Sequence, residues 1–281
     1  MNQKEAEELL KKLEIELKIR GFTKATVSTY KRHNLNFLKF VNKSPLDVTT
    51  DDVRTYQAYL SEKNAKPATI VLKLSAIKFF FHNVLENEII TNKIKYPKSH
   101  KKIPDALTKE EVQKLFSVVN NQKHRLLLEF MYGSGLRVSE CINFKVKDTN
   151  FDNHTAKVIS GKGNKQRMII LSKDFVSKLK KYLDKREISS DYIFPSHDPK
   201  KPVTTRMAQK VIEKAAKKAG FEKRVYCHIL RSSFATHLLE GGVDIRYIQE
   251  LLGHSDLSTT QRYTKVNMEQ LRKIKSPLDN I

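Results

Sequence analysis

Acidic residues, cysteines and long apolar runs are all scarce in this sequence. It has 31 Asp and Glu residues against 53 Lys and Arg residues, which gives a formal net charge of +22. No run approaches the roughly 18 apolar residues of a membrane span, and the amphipathic N-terminus is unlike a signal sequence, so we expect no membrane association. The only cysteines are Cys141 and Cys227. A reduced, cytoplasmic location with free thiols is the simplest expectation, and one disulfide between them stays open.

The shortage of acidic residues bears on chemistry and on partners. Metal-dependent nucleases hold magnesium with clustered carboxylates, and no such cluster stands at the predicted helix and strand ends. The possible zinc ligands lack the paired spacing of zinc sites: Cys227, His228, His237 and His254. We therefore expect neither a metal nor a cofactor. The excess of positive charge predicts a polyanionic partner, with nucleic acid ranked first and a merely solvated, lysine-rich surface as the alternative.

The length of 281 residues predicts two domains, and the hydrophobic periodicity predicts a mainly α-helical fold with a small β-hairpin. Residues 1–88 are expected to form four helices, with a capping box at Thr49 and Asp52 and with Pro67 in the first turn of the fourth helix. Residues 89–106 lose this periodicity and are rich in lysine, which predicts a basic linker or a plain flexible hinge.

Residues 107–281 are predicted to form a mixed α/β domain. It begins with a capping box at Thr108 and Glu111. Two segments with the alternation of β-strands, 156–160 and 167–171, flank the turn GKGNK, which predicts a hairpin with Lys162 at its tip. Further helices are expected near 123–132, 173–187 and 204–219, and in the glycine-broken stretch from His228 to Tyr263.

Six side chains suited to phosphate chemistry stand near the ends of these predicted elements. Taken singly, each has an ordinary structural explanation. Such a side chain can begin a surface helix, make a surface hydrogen bond, cap a helix, lie solvated in a turn or pack as an aromatic ring. Together they supply what a metal-free attack on a phosphate needs: cations for its oxygens, a proton donor for the leaving group and a nucleophile. The six are Arg137, Lys162, His228, Arg231, His254 and Tyr263.

The motifs that contain these residues resemble those of the tyrosine recombinases of the integrase family, and most of all the Xer branch. In order they are GSGLRVSE, GKGNKQR, HILRSSFATHLLEGG and LLGHSDLSTTQRY, within roughly residues 105–275. The N-terminal helices resemble the SAM-like core-binding domain of that family. One departure is Ser232, where relatives often have a second histidine after the arginine.

The resemblance implies a role for each residue of the set. Arg137 and Arg231 would bind the scissile phosphate, and His228 and His254 would support proton transfer and charge. These four roles come from the matched motif positions and not from the spacing of the residues.

The resemblance also implies the steps of strand cleavage. Tyr263 would attack to form a 3′-phosphotyrosine, and Lys162 would protonate the 5′ oxygen as it leaves. Glu140 matches a position that orients a neighbouring side chain. The lysines expected to contact DNA are Lys24, Lys66, Lys73, Lys98, Lys101, Lys102 and Lys165.

The expected function is therefore site-specific recombination of double-stranded DNA, without metal or ATP, by a homo-oligomer that is a tetramer on two sites. The two-domain length, without a further arm-binding domain, favours an Xer-like role in chromosome or plasmid dimer resolution over a mobile-element integrase or excisionase. A type IB-like topoisomerase and a catalytically inactive architectural protein also stay open at this point. The tail, about residues 267–281, is expected to dock on a neighbouring subunit or to pack on its own domain.

Overall fold

The structure is a computed structural model, and it describes residues 3–97, 105–159 and 166–253. The chain divides into two units, residues 1–101 and residues 102–281. The boundary falls inside the stretch 89–106 that was predicted to be a linker. The expected fold class, mainly helical with a small sheet, is confirmed. No helix in these three described ranges combines the length and the apolar character that crossing a membrane requires.

Four long helices make up most of the N-terminal unit, as predicted. Thr49 and Asp52 form the expected capping box, in which each side chain accepts a hydrogen bond from the backbone of the other residue. The apolar faces meet around Phe37, Phe80 and Phe81, which are fully buried. The helices are α1 (Gln3–Ile19), α2 (Lys24–Val41), α3 (Thr50–Glu62) and α4 (Pro67–Asn83).

A short fifth helix, α5 (Glu88–Lys93), lies where we predicted the start of the linker. The side chain of Asn87 accepts a hydrogen bond from the backbone N–H of Ile90, and Ile90 is buried in the core of the N-terminal unit. This helix corrects the predicted start of the linker. A helix of six residues with one buried isoleucine is too short to show a helical period in the sequence.

The second unit begins with the predicted capping box at Thr108 and Glu111. Its core surrounds the second of its helices, whose Leu127 and Met131 are fully buried together with Ile229 from a later helix. The helices in the described part of this unit are α6 (Lys109–Ser117), α7 (Gln122–Gly133), α8 (Val138–Ile142), α9 (Lys173–Lys185), α10 (Thr205–Lys218), α11 (Cys227–Glu240) and α12 (Ile245–Leu252).

The expected hairpin is present and belongs to an antiparallel sheet with the strand order β1-β2-β3. Its strands are β1 (Thr149–Asn150), β2 (Thr155–Ile159) and β3 (Gln166–Ile170). In the register of β2 and β3, Ala156 lies opposite Ile169 and Val158 lies opposite Arg167. Ala156, Val158 and Ile169 are buried. Since side chains alternate along a strand, Arg167 shares the inward face with Ile169.

A small apolar cluster packs α12 against α11. It contains Phe234 of α11 and Leu252 of α12, both buried. Gly135, in the connection between α7 and α8, lies directly against this cluster and has a φ of +60°. A Cβ atom at position 135 would lie 2.4 Å from a ring carbon of Phe234 and 2.9 Å from a methyl carbon of Leu252. Glycine is therefore required here both by the backbone conformation and by the close packing.

We expect Gly135→Ala to destabilise the second unit more than Gly220→Ala does. Both glycines have positive φ, but a Cβ at position 220 would meet nothing within 4 Å. Both variants incur a left-handed-backbone cost of about 1–2 kcal/mol, and Gly135→Ala adds an overpacking cost of about 1–3 kcal/mol. Urea unfolding of the full chain, followed by circular dichroism, measures the difference. Equal losses of stability would show that contact with Phe234 does not matter.

Candidate active site

The connection between α7 and α8 holds Arg137 in place. Leu136 is buried in the core, and the hydroxyl of Ser134 donates a hydrogen bond of 2.8 Å to the carbonyl oxygen of Ile170 in β3. Arg137 directly precedes α8. Its Nη1 donates to Oε1 of Glu140 at 2.7 Å, and its backbone N–H donates to Oε2 at 2.9 Å. The Arg137 side chain is 41% exposed, so a cation on a fixed backbone remains open to an incoming anion.

Arg231 lies on α11 and is completely buried, which is rare for an arginine. Its Nη1 donates to the carbonyl oxygen of Gly135 at 2.7 Å, and its Nη2 donates to the carbonyl oxygen of Leu252 at 2.7 Å. Nη1 also lies 3.9 Å from Oε2 of Glu140. One guanidinium therefore connects α11 to the segment before Arg137 and to the last turn of α12. The neighbouring Ser232 is buried on the same helix.

The carboxylate of Glu140 lies between the guanidinium groups of three arginines: Arg137 and Arg167 at 2.7 Å, and Arg231 at 3.9 Å. Its side chain is only 7% exposed. Burial by itself would raise the pKa of Glu140, but the hydrogen bonds and charges of Arg167 and Arg137 outweigh burial and lower the pKa to about 2. Glu140 is therefore ionised at neutral pH. The orienting role that the sequence motif implied for Glu140 stays a prediction.

Arg167 is a member of this cluster that the sequence analysis did not single out. Its side chain is 7% exposed, and its Nη1 and Nη2 donate to the two oxygens of Glu140 at 2.9 and 2.7 Å. The sequence contained a signal for it. Arg167 lies two residues before Ile169, so strand alternation alone assigns this charged side chain to the buried face, where a charge requires a partner.

His228 lies in the first turn of α11, three residues before Arg231 and exposed at the surface. Partial removal of water from its ring lowers the pKa of His228, and the positive charges of Arg231 and Arg137 lower it further. The ring is therefore neutral at neutral pH. Both predicted phosphate-binding arginines therefore act electrostatically on the His228 ring, although Arg137 precedes α8 and Arg231 lies on α11.

Several predicted site residues lie outside the described residues, and the structure does not test them. Lys162 and Lys165 belong to the connection between β2 and β3, and His254 directly follows Gly253 at the end of α12. The remaining ones are the nucleophile, the linker lysines and the predicted tail: Tyr263, Lys98, Lys101, Lys102 and residues 267–281.

Three predicted DNA-contacting lysines lie in the N-terminal unit, where they remain predictions. Lys24 and Lys66 are exposed. Lys73 is half-buried, and its ammonium lies 5.9 Å from the centre of the Tyr56 ring, a distance at which a cation and an aromatic face attract each other.

Cys227 and His237, two of the possible zinc ligands, have other surroundings. Cys141 and Cys227 are buried free thiols, so the possible disulfide is not formed. Burial raises the pKa of both thiols, that of Cys227 to about 11. Nδ1 of His237 is hydrogen-bonded to the hydroxyl of Tyr132 at 2.8 Å. Across the described ranges, no three His, Cys, Asp or Glu side chains are grouped so that they could hold a metal ion.

Comparison with known proteins gives matches over both units. The Phage integrase family matches residues 105–270, and the Phage integrase N-terminal SAM-like domain matches residues 9–91. The tyrosine recombinase XerA of Pyrococcus horikoshii is 38% identical over 95% of this chain and 92% of its own length. The tyrosine recombinase XerD of Rickettsia bellii is 35% identical over 93% of this chain and 94% of its own length.

Solved structures agree with these sequence matches. The crystal structure of XerA recombinase is 29% identical, with a TM-score of 0.55, covering 95% of this chain and 96% of that chain. The XerH site-specific recombinase bound to its difH substrate has a TM-score of 0.73 at 24% identity, covering 88% of this chain and 78% of that chain, which shows a shared fold. The family match covers more than half of the sequence and includes the arginine cluster described above. The chain therefore belongs to the phage integrase family, among its Xer-type tyrosine recombinases.

Proposed function

We propose that this tyrosine recombinase cleaves and rejoins duplex DNA at a specific site, with Tyr263 as the nucleophile. The observation that supports the proposal is the convergence of Arg137 and Arg231 on one carboxylate, with His228 three residues before Arg231 on the same helix. Glu140 contacts Arg137 at 2.7 Å and lies 3.9 Å from Arg231, which comes from a different helix. Fixed positive charge of this kind is what binding of a phosphate diester requires.

The proposed chemistry needs neither a metal nor ATP. The hydroxyl oxygen of Tyr263 forms a bond to phosphorus, the bond from phosphorus to the 5′ oxygen breaks, and Lys162 gives that oxygen a proton. Arg137 and Arg231 offset the charge on the non-bridging oxygens, while His228 and His254 support proton transfer from the tyrosine. The phosphotyrosine retains the energy of the broken bond, so a 5′ hydroxyl can reverse the step. Attack by the 5′ hydroxyl of another duplex gives recombination.

The role we propose is Xer-like resolution of chromosome or plasmid dimers in the cytoplasm, by a tetramer on two DNA sites. The XerH structure was solved with its difH substrate, which supports duplex DNA as the partner here. We propose that the N-terminal unit contacts the core of the DNA site. The basic linker that ends at residue 106 joins the units, and residues 107–281 form the catalytic domain. Integration or excision of a mobile element would use the same chemistry.

We expect Tyr263→Phe to abolish strand cleavage while DNA affinity changes little, because the hydroxyl is needed only for the attack. The assay incubates the full chain with a pool of nicked duplexes of random sequence and recovers covalent protein–DNA adducts. Sequencing the recovered DNA maps the cleaved position and identifies the target site.

Three outcomes of this assay would contradict the proposal. An adduct with Tyr263→Phe would exclude this nucleophile, and the absence of any adduct under conditions of binding would favour an architectural protein. Relaxation of any supercoiled plasmid, without site preference or joining of two duplexes, would favour a topoisomerase.

We expect His228 to titrate below its ordinary pKa in the free protein, and we expect Arg137→Gln to raise that pKa by removing a nearby positive charge. The direction of this pKa change is fixed, because a nearby cation disfavours the protonated imidazolium. Removing that cation makes the ring easier to protonate. Titration of the histidine ring protons by NMR, with His228→Gln for assignment, measures this effect.

His124 provides the matched control for that titration. Burial, Lys123 and Lys214 lower its pKa without help from Arg137, so Arg137→Gln should leave His124 unchanged. If the pKa of His228 does not move, or if both pKa values move together, the two residues do not share a site.

We expect deletion of residues 268–281 to preserve cleavage by the single chain and to abolish assembly of a tetramer on DNA. The deleted tail has Met268, Leu271 and Ile274 at helical spacing, as a docking helix would require. Cleavage is measured on the nicked duplex recovered above, and assembly by the mass of the protein–DNA complex. A tetramer of normal mass would refute docking between subunits.

A further inference from the structure

Arg167 makes hydrogen bonds to two separate segments of the second unit. It lies on β3, which follows directly on the connection between β2 and β3. Its Nη1 and Nη2 bind both oxygens of Glu140, at 2.9 and 2.7 Å. Its Nε donates to the carbonyl oxygen of Leu251 at 2.7 Å. That carbonyl belongs to the last turn of α12, where helix carbonyls have no partner within the helix. Arg167 thus satisfies a buried carboxylate and a helix end at the same time.

The aliphatic part of Arg167 also contacts the residue that ends α12. A Cβ atom at Gly253 would lie 2.9 Å from Cδ of Arg167, and Gly253 has a φ of +64°. The residue after Gly253 is His254. Any side chain at position 253 would therefore push on Arg167, and any shift of Arg167 would disturb the point at which the chain leaves α12.

These contacts connect three segments: one contains Arg137, and the other two lead to His254 and to Lys162. Through Glu140, Arg167 supports Arg137, and through Leu251 and Gly253 it holds the end of α12 that leads to His254. Its own strand, β3, follows directly on the connection that contains Lys162. We propose that Arg167 is a positioning residue that holds these three segments in register for strand cleavage. The inference rests on the proposed function.

Lysine cannot replace Arg167 in this arrangement. The flat guanidinium offers several donors in fixed directions, so that it binds a carboxylate with two bonds and a carbonyl with a third. An ammonium carries the same charge on a compact group without that fork. Arg167→Lys therefore preserves the charge of the site and removes its geometry, which separates positioning from simple electrostatics.

The test compares DNA binding with single-turnover cleavage by the full chain, on the nicked duplex recovered with the unaltered protein. We expect Arg167→Lys to bind this duplex within about threefold of normal and to cleave it on the order of 10²-fold more slowly, the loss expected from a displacement of about 1 Å. Arg186→Lys is the matched control. Arg186 is half-buried and binds the carbonyl oxygens of Tyr192 and Ser190 outside the site, so its replacement should not slow cleavage.

A second substrate distinguishes positioning from loss of the proton donor. A 5′-bridging phosphorothioate has a sulfur leaving group that needs little protonation, so it should restore most of the rate of Lys162→Ala. For Arg167→Lys we expect only partial restoration, because Arg137 and His254 would be displaced as well. Complete restoration would mean that Arg167 acts through the hairpin alone and would overturn the three-segment assignment.

Gly253→Ala keeps the proposal testable if Arg167→Lys fails to fold. Its added methyl group would press on Cδ of Arg167, so this variant should show the same result: near-normal DNA binding with slow cleavage of both substrates. Normal cleavage by either folded variant would refute the positioning role, as would a loss of DNA binding as large as the loss of rate. If the unaltered chain forms no phosphotyrosine adduct, the proposed function itself fails. If it does and the variants match it, only the role of Arg167 fails.

Discussion

A buried carboxylate among three guanidinium groups determines the geometry of this site. Arg137, Arg167 and Arg231 would repel one another in the small volume that they share, and the ionised Glu140 offsets that repulsion. Removing one partner from a buried ion pair typically costs about 3–5 kcal/mol, because the remaining charge stays desolvated. The negative charge of Glu140 therefore keeps the buried arginines folded in place and also offsets their mutual repulsion.

The three arginines differ in their access to solvent. Arg231 and Arg167 are buried and donate hydrogen bonds to backbone carbonyl oxygens, and Arg167 also binds Glu140, whereas Arg137 is 41% exposed. The buried pair holds backbone segments together, and the third arginine, Arg137, faces the solvent. Preorganised cations of this kind need no rearrangement as charge develops on phosphate oxygens, which is why such sites are effective in phosphoryl transfer.

Features that depend on local chemistry could be predicted from the sequence. The capping boxes at Thr49 and Thr108 were predicted correctly because they need only residues three apart, and the hairpin was correct because alternation and a glycine turn coincide. The two-residue β1 and the six-residue α5 are too short to show a period. The sequence family motifs led to Arg137, Glu140 and Arg231, which the structure brings together, and to His228 on the helix that contains Arg231. Arg167 escaped notice because its partners, Glu140 and Leu251, are distant along the chain.

Those long separations also affect how the second unit folds. The bond from Arg167 to Leu251 spans 84 residues, and the bond from Arg231 to Gly135 spans 96 residues. Closing such loops costs chain entropy that local helix formation does not repay, so the bond from Arg167 to Leu251 forms only once α12 is in place. A chain still emerging from the ribosome therefore cannot anchor the arginine cluster to α12 before residue 252 has been made. Until then, Arg167 and Arg231 lack the carbonyl oxygens of Leu251 and Leu252, and their hydrogen-bond network is incomplete.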